Sequence, residues 1–297
     1  TTPNFFILGA PKCGTTIVSK YLSSHPEVFM SIPKEPGYFD RDLRYSSPQH
    51  CPYSSLEDYL TIYDSVDKSR HKVVGESSVF MLYSKSALDQ ILSININSKF
   101  LIMLRNPYTA APSMHTQNLK CLGDDREPML SFEDAWNDLE RRATINVLDN
   151  TNYLKFKYDY LFTYSKHIER VVALTNSDQV LYIKYEDFCE DNEKEMTKIY
   201  NFLEISASHN APKMILNSAT VARNNILSRF IFKVANFSRS FKLLRFLRGR
   251  RYTLLFTQKK PSVSPIDVDL KNRMYSVFQS DIQKVQYLTG LDLSSWC

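Results

Sequence analysis

Long apolar runs are missing from this chain. Nothing in its 297 residues approaches the roughly 18 consecutive apolar positions that a membrane-spanning helix needs. Paired cysteines are missing too. Cys13, Cys51, Cys121, Cys189 and Cys297 are scattered, odd in number and without a Cys-x-x-Cys pair, which points to reduced thiols and a cytoplasmic setting. The six histidines are dispersed as well, so no metal cluster is expected. Repeats and low-complexity tracts do not occur. No secretory-leader pattern opens the chain, and its start at Thr1 rather than Met leaves a larger parent chain or a removed leader open. No Pro- or Gly-rich linker divides it. At 43% apolar and 13% aromatic residues it can fill a sizeable core, and we expect a single domain over 1–297.

Acidic residues are absent from one long stretch. Between Ile205 and Ile266 there is no Asp or Glu but there are twelve Lys or Arg, so the +5 net charge covers a basic segment set beside an acidic remainder. Such a segment suggests an anionic ligand, nucleic acid or a membrane surface. Leu227, Phe230, Ile231, Val234, Phe237, Phe241, Leu244 and Leu247 recur in it at steps of three and four, which makes it amphipathic. We read 205–266 as a basic helical cover over a ligand cleft, in preference to a membrane contact through 223–251.

What is present is an α/β pattern. Phe5–Leu8, Lys72–Gly75, Phe100–Leu104 and Val180–Lys184 read as buried parallel strands. Helical patterns lie between them. Ser55-x-x-Asp58 and Ser131-x-x-Asp134 resemble capping boxes, and Tyr153–Leu174 and Glu190–Leu203 read as longer helices. Residues 33–53 and 205–222 look like loops. Alternating strands and helices give a central parallel sheet flanked by helices, with ligands beyond the carboxyl ends of the strands. Lys12, Glu76 and Arg105 fall there.

The first strand runs into Gly9-Ala10-Pro11-Lys12-Cys13-Gly14-Thr15-Thr16 and then a helical pattern. Strand, glycine-bounded loop and helix form an anion site from backbone N–H groups and a helix N-terminus. The Gly-x-x-x-x-Gly spacing is that of a Walker loop, but Thr15 stands where the lysine belongs and the lysine is inside, at Lys12. A nucleotide phosphate remains the natural guest, while Mg-dependent NTP chemistry is disfavoured. A second grip follows the third strand. Arg105 supplies a bidentate fork, Pro107 opens a helix and Ser113 offers a hydroxyl about two turns in. Two grips suggest a nucleotide phosphorylated at two places.

Together these segments resemble the sulfotransferases that use 3′-phosphoadenosine-5′-phosphosulfate (PAPS), in their bacterial and carbohydrate-type forms. Pro11–Thr16 is similar to the family's 5′-phosphosulfate loop, and Arg105-Asn106-Pro107 with Ser113 to its 3′-phosphate motif. Lys34-Glu35-Pro36-Gly37-Tyr38-Phe39-Asp40, Gly75-Glu76-Ser77-Ser78, Tyr185-Glu186-Asp187-Phe188 and Leu291–Trp296 also look familial, so the likeness covers about Asn4 to Trp296. It implies sulfuryl transfer from PAPS to a hydroxyl or amine of a small-molecule or carbohydrate acceptor, without a metal. Lys12 would stabilise the leaving phosphate and Glu76 would be the base. Lys12, Cys13, Gly14, Thr15, Thr16, Arg105, Ser113, Tyr185 and Arg223 would hold the cofactor, and Lys34, Glu35 and His115 would meet the acceptor. Two departures stand out. Ser77 takes the place of a lysine usual after the catalytic Glu, and the Arg-Lys-Gly cofactor loop of cytosolic members is absent, with Arg223 as substitute. Glu76 read without the family is a strand-end carboxylate that caps a helix or meets a lysine. His115 lies about 200° round its helix from Ser113, so it packs or meets the acceptor rim. Rival readings are an ATP- and Mg²⁺-dependent phosphoryl transferase and a non-catalytic nucleic-acid or anion-binding module. The resemblance sets nucleic acid aside and leaves the acceptor's identity and the oligomeric state open.

Overall fold

The structure is a computed structural model, described for residues 1–44, 51–121, 125–144, 151–207, 220–222, 257–259 and 267–296. Five strands form its sheet: β1 (Phe5–Gly9), β2 (Val28–Met30), β3 (Val73–Ser77), β4 (Lys99–Leu104) and β5 (Val180–Lys184). The order is β2-β3-β1-β4-β5 and every pairing is parallel. All residues of β1 and β3 are buried, as are Phe100–Leu104 of β4. Strands covered on both faces need continuous apolar runs rather than alternation, and Phe5-Phe6-Ile7-Leu8 and Phe100-Leu101-Ile102-Met103-Leu104 supply them.

The strand order places the ligand crevice. From β1 the chain turns to one side, toward β2 and β3; β4 returns on the other side. This reversal of direction is a topological switch point, and such points are where ligands of open α/β sheets bind, beyond the carboxyl ends of the strands. Ala10 N–H donates to the Met103 carbonyl at 2.7 Å, which fixes the start of the first loop against β4.

The four expected strands are present; the short β2 and the long helix Val268–Thr289 are additions to the sequence reading. Where one helix is expected over 153–174, a 3-10 turn (Thr151–Phe156) and helices Tyr158–Phe162 and Ser165–Leu174 occur instead. The cause lies far along the chain. The buried Asp281 carboxylate accepts from the N–H groups of Tyr164 and Ser165 at 2.8 and 3.0 Å, starting a new helix there. A second break falls at Asp191, whose side chain accepts from Lys194 N–H at 3.0 Å and opens helix Asn192–Phe202. Thr220–Ala222 pairs antiparallel with Thr257–Lys259. The ends of the basic segment thus include strand rather than loop or helix, and the amphipathic run between them lies outside the described residues.

Candidate functional site

Gly14 closes the loop after β1 and caps helix Thr15–Ser24 with φ 86°, a left-handed conformation that suits glycine. A Cβ there would lie 3.1 Å from the Tyr185 ring, so a side chain would be strained in its backbone and would press on that ring. Helix N-termini leave N–H donors without intrahelical acceptors, and no side chain caps this one. Lys12 is also left-handed, φ 65°, unusual for a residue with a Cβ and a form of local strain typical of ligand-binding loops. Thr15 is buried and Thr16 exposed. Cys13 is buried with its Sγ 3.3 Å from the Pro11 carbonyl, and burial pushes its thiol up to about 12. It contributes size and an N–H rather than a thiolate.

The second grip is built at the end of β4. Asn106 caps helix Pro107–Asn118 by accepting from Tyr108 N–H at 2.9 Å, and Pro107 occupies the first turn. Arg105 donates from Nε to Thr109 Oγ1 at 3.0 Å and from Nη1 to the Lys12 carbonyl at 3.1 Å. Its guanidinium carbon stands 4.6 Å over the Tyr185 ring. Lys12 Nζ in turn donates to Gln117 Oε1 at 2.8 Å. The two expected phosphate grips are therefore one connected cluster: Lys12, Gly14, Arg105, Gln117 and Tyr185. Tyr185 packs on the loop and on Arg105, and burial raises its phenol to about 12.

Gln117 and Thr109 are absent from the sequence reading. Thr109, Ser113 and Gln117 recur every fourth residue and so share a helix face, a signal present in the sequence. Glu186 was visible as familial but without a role. It accepts from Asn106 N–H at 3.1 Å and from Trp296 Nε1 at 3.2 Å, tying the chain's last turn to the Arg105 motif.

Glu76 belongs to a different environment. It is the penultimate residue of β3, aligned with Phe6 of β1, and no part of it reaches solvent. Its Oε1 accepts from Ser78 Oγ at 2.6 Å and its Oε2 from Tyr59 OH. Tyr59 OH is 2.8 Å from Tyr63 OH, and both phenols are buried. The Lys34–Glu35 pair, Nζ to Oε1 at 2.7 Å, joins this end of β3 through Glu35 N–H, which donates to the Ser77 carbonyl at 3.2 Å.

Of the two places expected for His115, packing or the acceptor rim, the structure shows packing. It is buried, with Nε2–H donating to the Met129 carbonyl at 2.9 Å and its ring packed against Phe132 and Tyr158. Burial holds its pKa below the usual histidine value. The two-residue offset from Ser113 turns it off the cleft face and into the core. Beneath it the fully buried Arg142 makes a bidentate pair with Glu127 at 2.7 and 3.0 Å, and Tyr158 OH donates to the same carboxylate at 2.5 Å. Arg223 lies outside the described residues.

A parallel α/β sheet with a glycine-bounded loop and an open helix N-terminus after its central strand, and an arginine after the next, has the architecture of nucleotide-binding α/β folds. The family model described as "Sulfotransferase domain" matches residues 2–234, and the chain belongs to that family. Carbohydrate sulfotransferase 15 from Homo sapiens is 24% identical over 251 residues, covering 68% of this chain and 44% of that protein. The chain thus spans less than half the length of this curated relative. The crystal structure of a sulfotransferase from Alicyclobacillus acidocaldarius superposes with a TM-score of 0.72 at 22% identity, covering 100% of this chain and 99% of that one. A mouse sulfotransferase complexed with PAP, SULT7A1, gives a TM-score of 0.52 at 11% identity, covering 99% and 88%. Both share the fold.

Proposed function

We propose that this chain transfers a sulfuryl group from PAPS to a hydroxyl or amine on a small-molecule or carbohydrate acceptor. The observation that supports this most is the Arg105–Lys12 contact, a fork from one phosphate motif resting on the carbonyl of the other. Grips so joined suit one nucleotide carrying phosphate at both its 5′ and 3′ positions. The residues present fit such a ligand: an uncapped helix N-terminus, a lysine in the loop, and an arginine backed by an aromatic ring. The mouse structure holding PAP and the carbohydrate relative support the donor and acceptor classes.

Bound PAPS would supply the activated sulfuryl group and a bisphosphate leaving group. Lys12 and the N–H groups of Gly14, Thr15 and Thr16 neutralise charge building on the leaving phosphate, an electrostatic role that needs fixed donors. Arg105 and Ser113 hold the 3′-phosphate, with Tyr185 packed behind. Arg223 is kept as a further cofactor contact. Glu76 takes the acceptor proton as general base. Because its carboxylate is covered, the acceptor must displace a covering group to reach it, and Lys34–Glu35 at the end of β3 is the adjoining element. The cytoplasmic setting, read from the scattered cysteines of the sequence, is retained as part of the proposal.

Incubation with isotopically labelled PAPS and a panel of glycans, phenols, alcohols and amines, followed by mass spectrometry, tests this reading. Label on an acceptor together with released PAP supports it. Stabilisation by ATP–Mg²⁺ but not by PAP in a thermal-shift assay contradicts it and favours phosphoryl transfer.

A further inference from the structure

A carboxylate sealed from solvent is a poor base unless something keeps it charged, since burial alone favours its protonated form. Among the contacts described for Glu76, two come from hydroxyls. Glu76 meets one on each oxygen, from Ser78 just past the end of its strand and from Tyr59 on the 56–63 segment. Tyr59 has a single proton and gives it to Glu76, so in its 2.8 Å contact with Tyr63 it must accept. Tyr63 in turn bonds to the Ser31 hydroxyl. Burial and the Glu76 charge push both phenols well above their ordinary value, so they remain protonated donors across the working range. The chain of hydroxyls thus runs one way, toward the carboxylate.

We propose that Tyr59, backed by Tyr63, is a positioning residue for Glu76, holding the buried carboxylate as an anion with one oxygen fixed. The inference rests on the reading of Glu76 as the base. Aromatic packing explains why Tyr59 can hold this place. Tyr38 stacks on it at 4.7 Å, and Phe39, Tyr53 and Tyr63 meet it edge-on at 5.2, 5.8 and 5.6 Å. Its ring therefore has little freedom to turn its hydroxyl elsewhere. Among the described residues, the titratable and charged groups about the cluster include the phenols of Tyr38, Tyr53, Tyr59 and Tyr63, the Lys34–Glu35 pair, whose Glu35 N–H donates to the Ser77 carbonyl, and Arg41, whose guanidinium lies 4.9 Å over the Tyr38 ring. None of these phenols can replace the Tyr59 hydroxyl on Oε2 without moving the packed rings.

The test is a ¹³C NMR titration of the full chain labelled at the Glu carboxyl carbons. The Glu76 signal is assigned by its loss in Glu76→Gln. Tyr59→Phe keeps the ring and removes the donor. The Glu76 titration is expected to move up by about one to two pH units, the size of one hydrogen bond to a charged group. Tyr63→Phe, which leaves Tyr59 in place, is expected to move it the same way by less, and serves if Tyr59→Phe folds poorly. PAP affinity should stay within about twofold in both. An unchanged Glu76 titration in folded Tyr59→Phe overturns the inference and leaves the base reading intact. Undiminished label transfer from PAPS by Glu76→Gln overturns the base reading and with it any catalytic meaning for Tyr59.

Discussion

The carboxyl edge of the sheet carries two regions of opposite character. Around Lys12 and Arg105 the groups are cationic, partly exposed and joined through backbone atoms and long side chains. Around Glu76 the described partners are neutral hydroxyls, of Ser78 and of the aromatic Tyr59 backed by Tyr63, all buried and closing on one carboxylate. The contrast suits the tasks we propose for the two regions. A nucleotide's phosphates arrive hydrated and strongly charged, so their site needs fixed positive donors reachable from water. A base has to keep its charge where water is scarce, so its site needs donors without charge of their own.

The sharpest way to break that division is to exchange one group in each region and measure turnover with an acceptor from the PAPS panel. Glu76→Gln is expected to lower it by about 10²–10⁴-fold, the usual worth of a general base. Lys12→Ala is expected to lower it by about 10²–10³-fold, the usual worth of one oxyanion donor. Near-normal turnover in either variant removes that residue from the chemistry.

A smaller effect separates binding from chemistry. Arg105→Ala loses a charged fork, its hold on the Lys12 carbonyl and its stack on Tyr185. PAP affinity measured by calorimetry should fall by about 1.5–3 kcal/mol. Gln117→Ala removes an uncharged partner of Lys12, and the cost to PAP affinity should be no more than about 0.5–1.5 kcal/mol. If Gln117→Ala cost more than Arg105→Ala, the ranking of the cluster would be reversed.

His115 lies outside both regions. His115→Ala is expected to leave turnover of the folded protein within a few-fold. It should lower stability by about 1–3 kcal/mol, because the Met129 carbonyl loses its donor. Urea denaturation beside turnover checks both halves.

The two regions also differ in how far they can be read from sequence. Lys12, Gly14, Arg105 and Ser113 are legible because each sits at a fixed short offset from a strand end, and strand ends follow from apolar runs. Tyr59 is not, for it reaches Glu76 across a sequence separation of 17 residues with no spacing rule to link them. Gln117 was readable from its four-residue offset to Ser113, but a glutamine on an exposed helix face carries no chemistry until Lys12 is seen to meet it. The same holds for secondary structure. The strands were legible from buried runs alone, whereas the break in 153–174 depends on Asp281, more than a hundred residues later in the chain. Contacts made through space, with side chains of ordinary type, leave little trace in a local pattern.

Titration of PAP into Glu76→Gln by calorimetry decides whether the two regions are independent. The contacts described for the phosphate cluster join Lys12, Arg105, Gln117 and Tyr185, and those described for Glu76 run to Ser78 and Tyr59; the proposed division therefore predicts a dissociation constant within about twofold of the wild-type value while label transfer is lost. Loss of PAP binding together with transfer would show that Glu76 belongs to the nucleotide site, and the division between a binding region and a base region would fall.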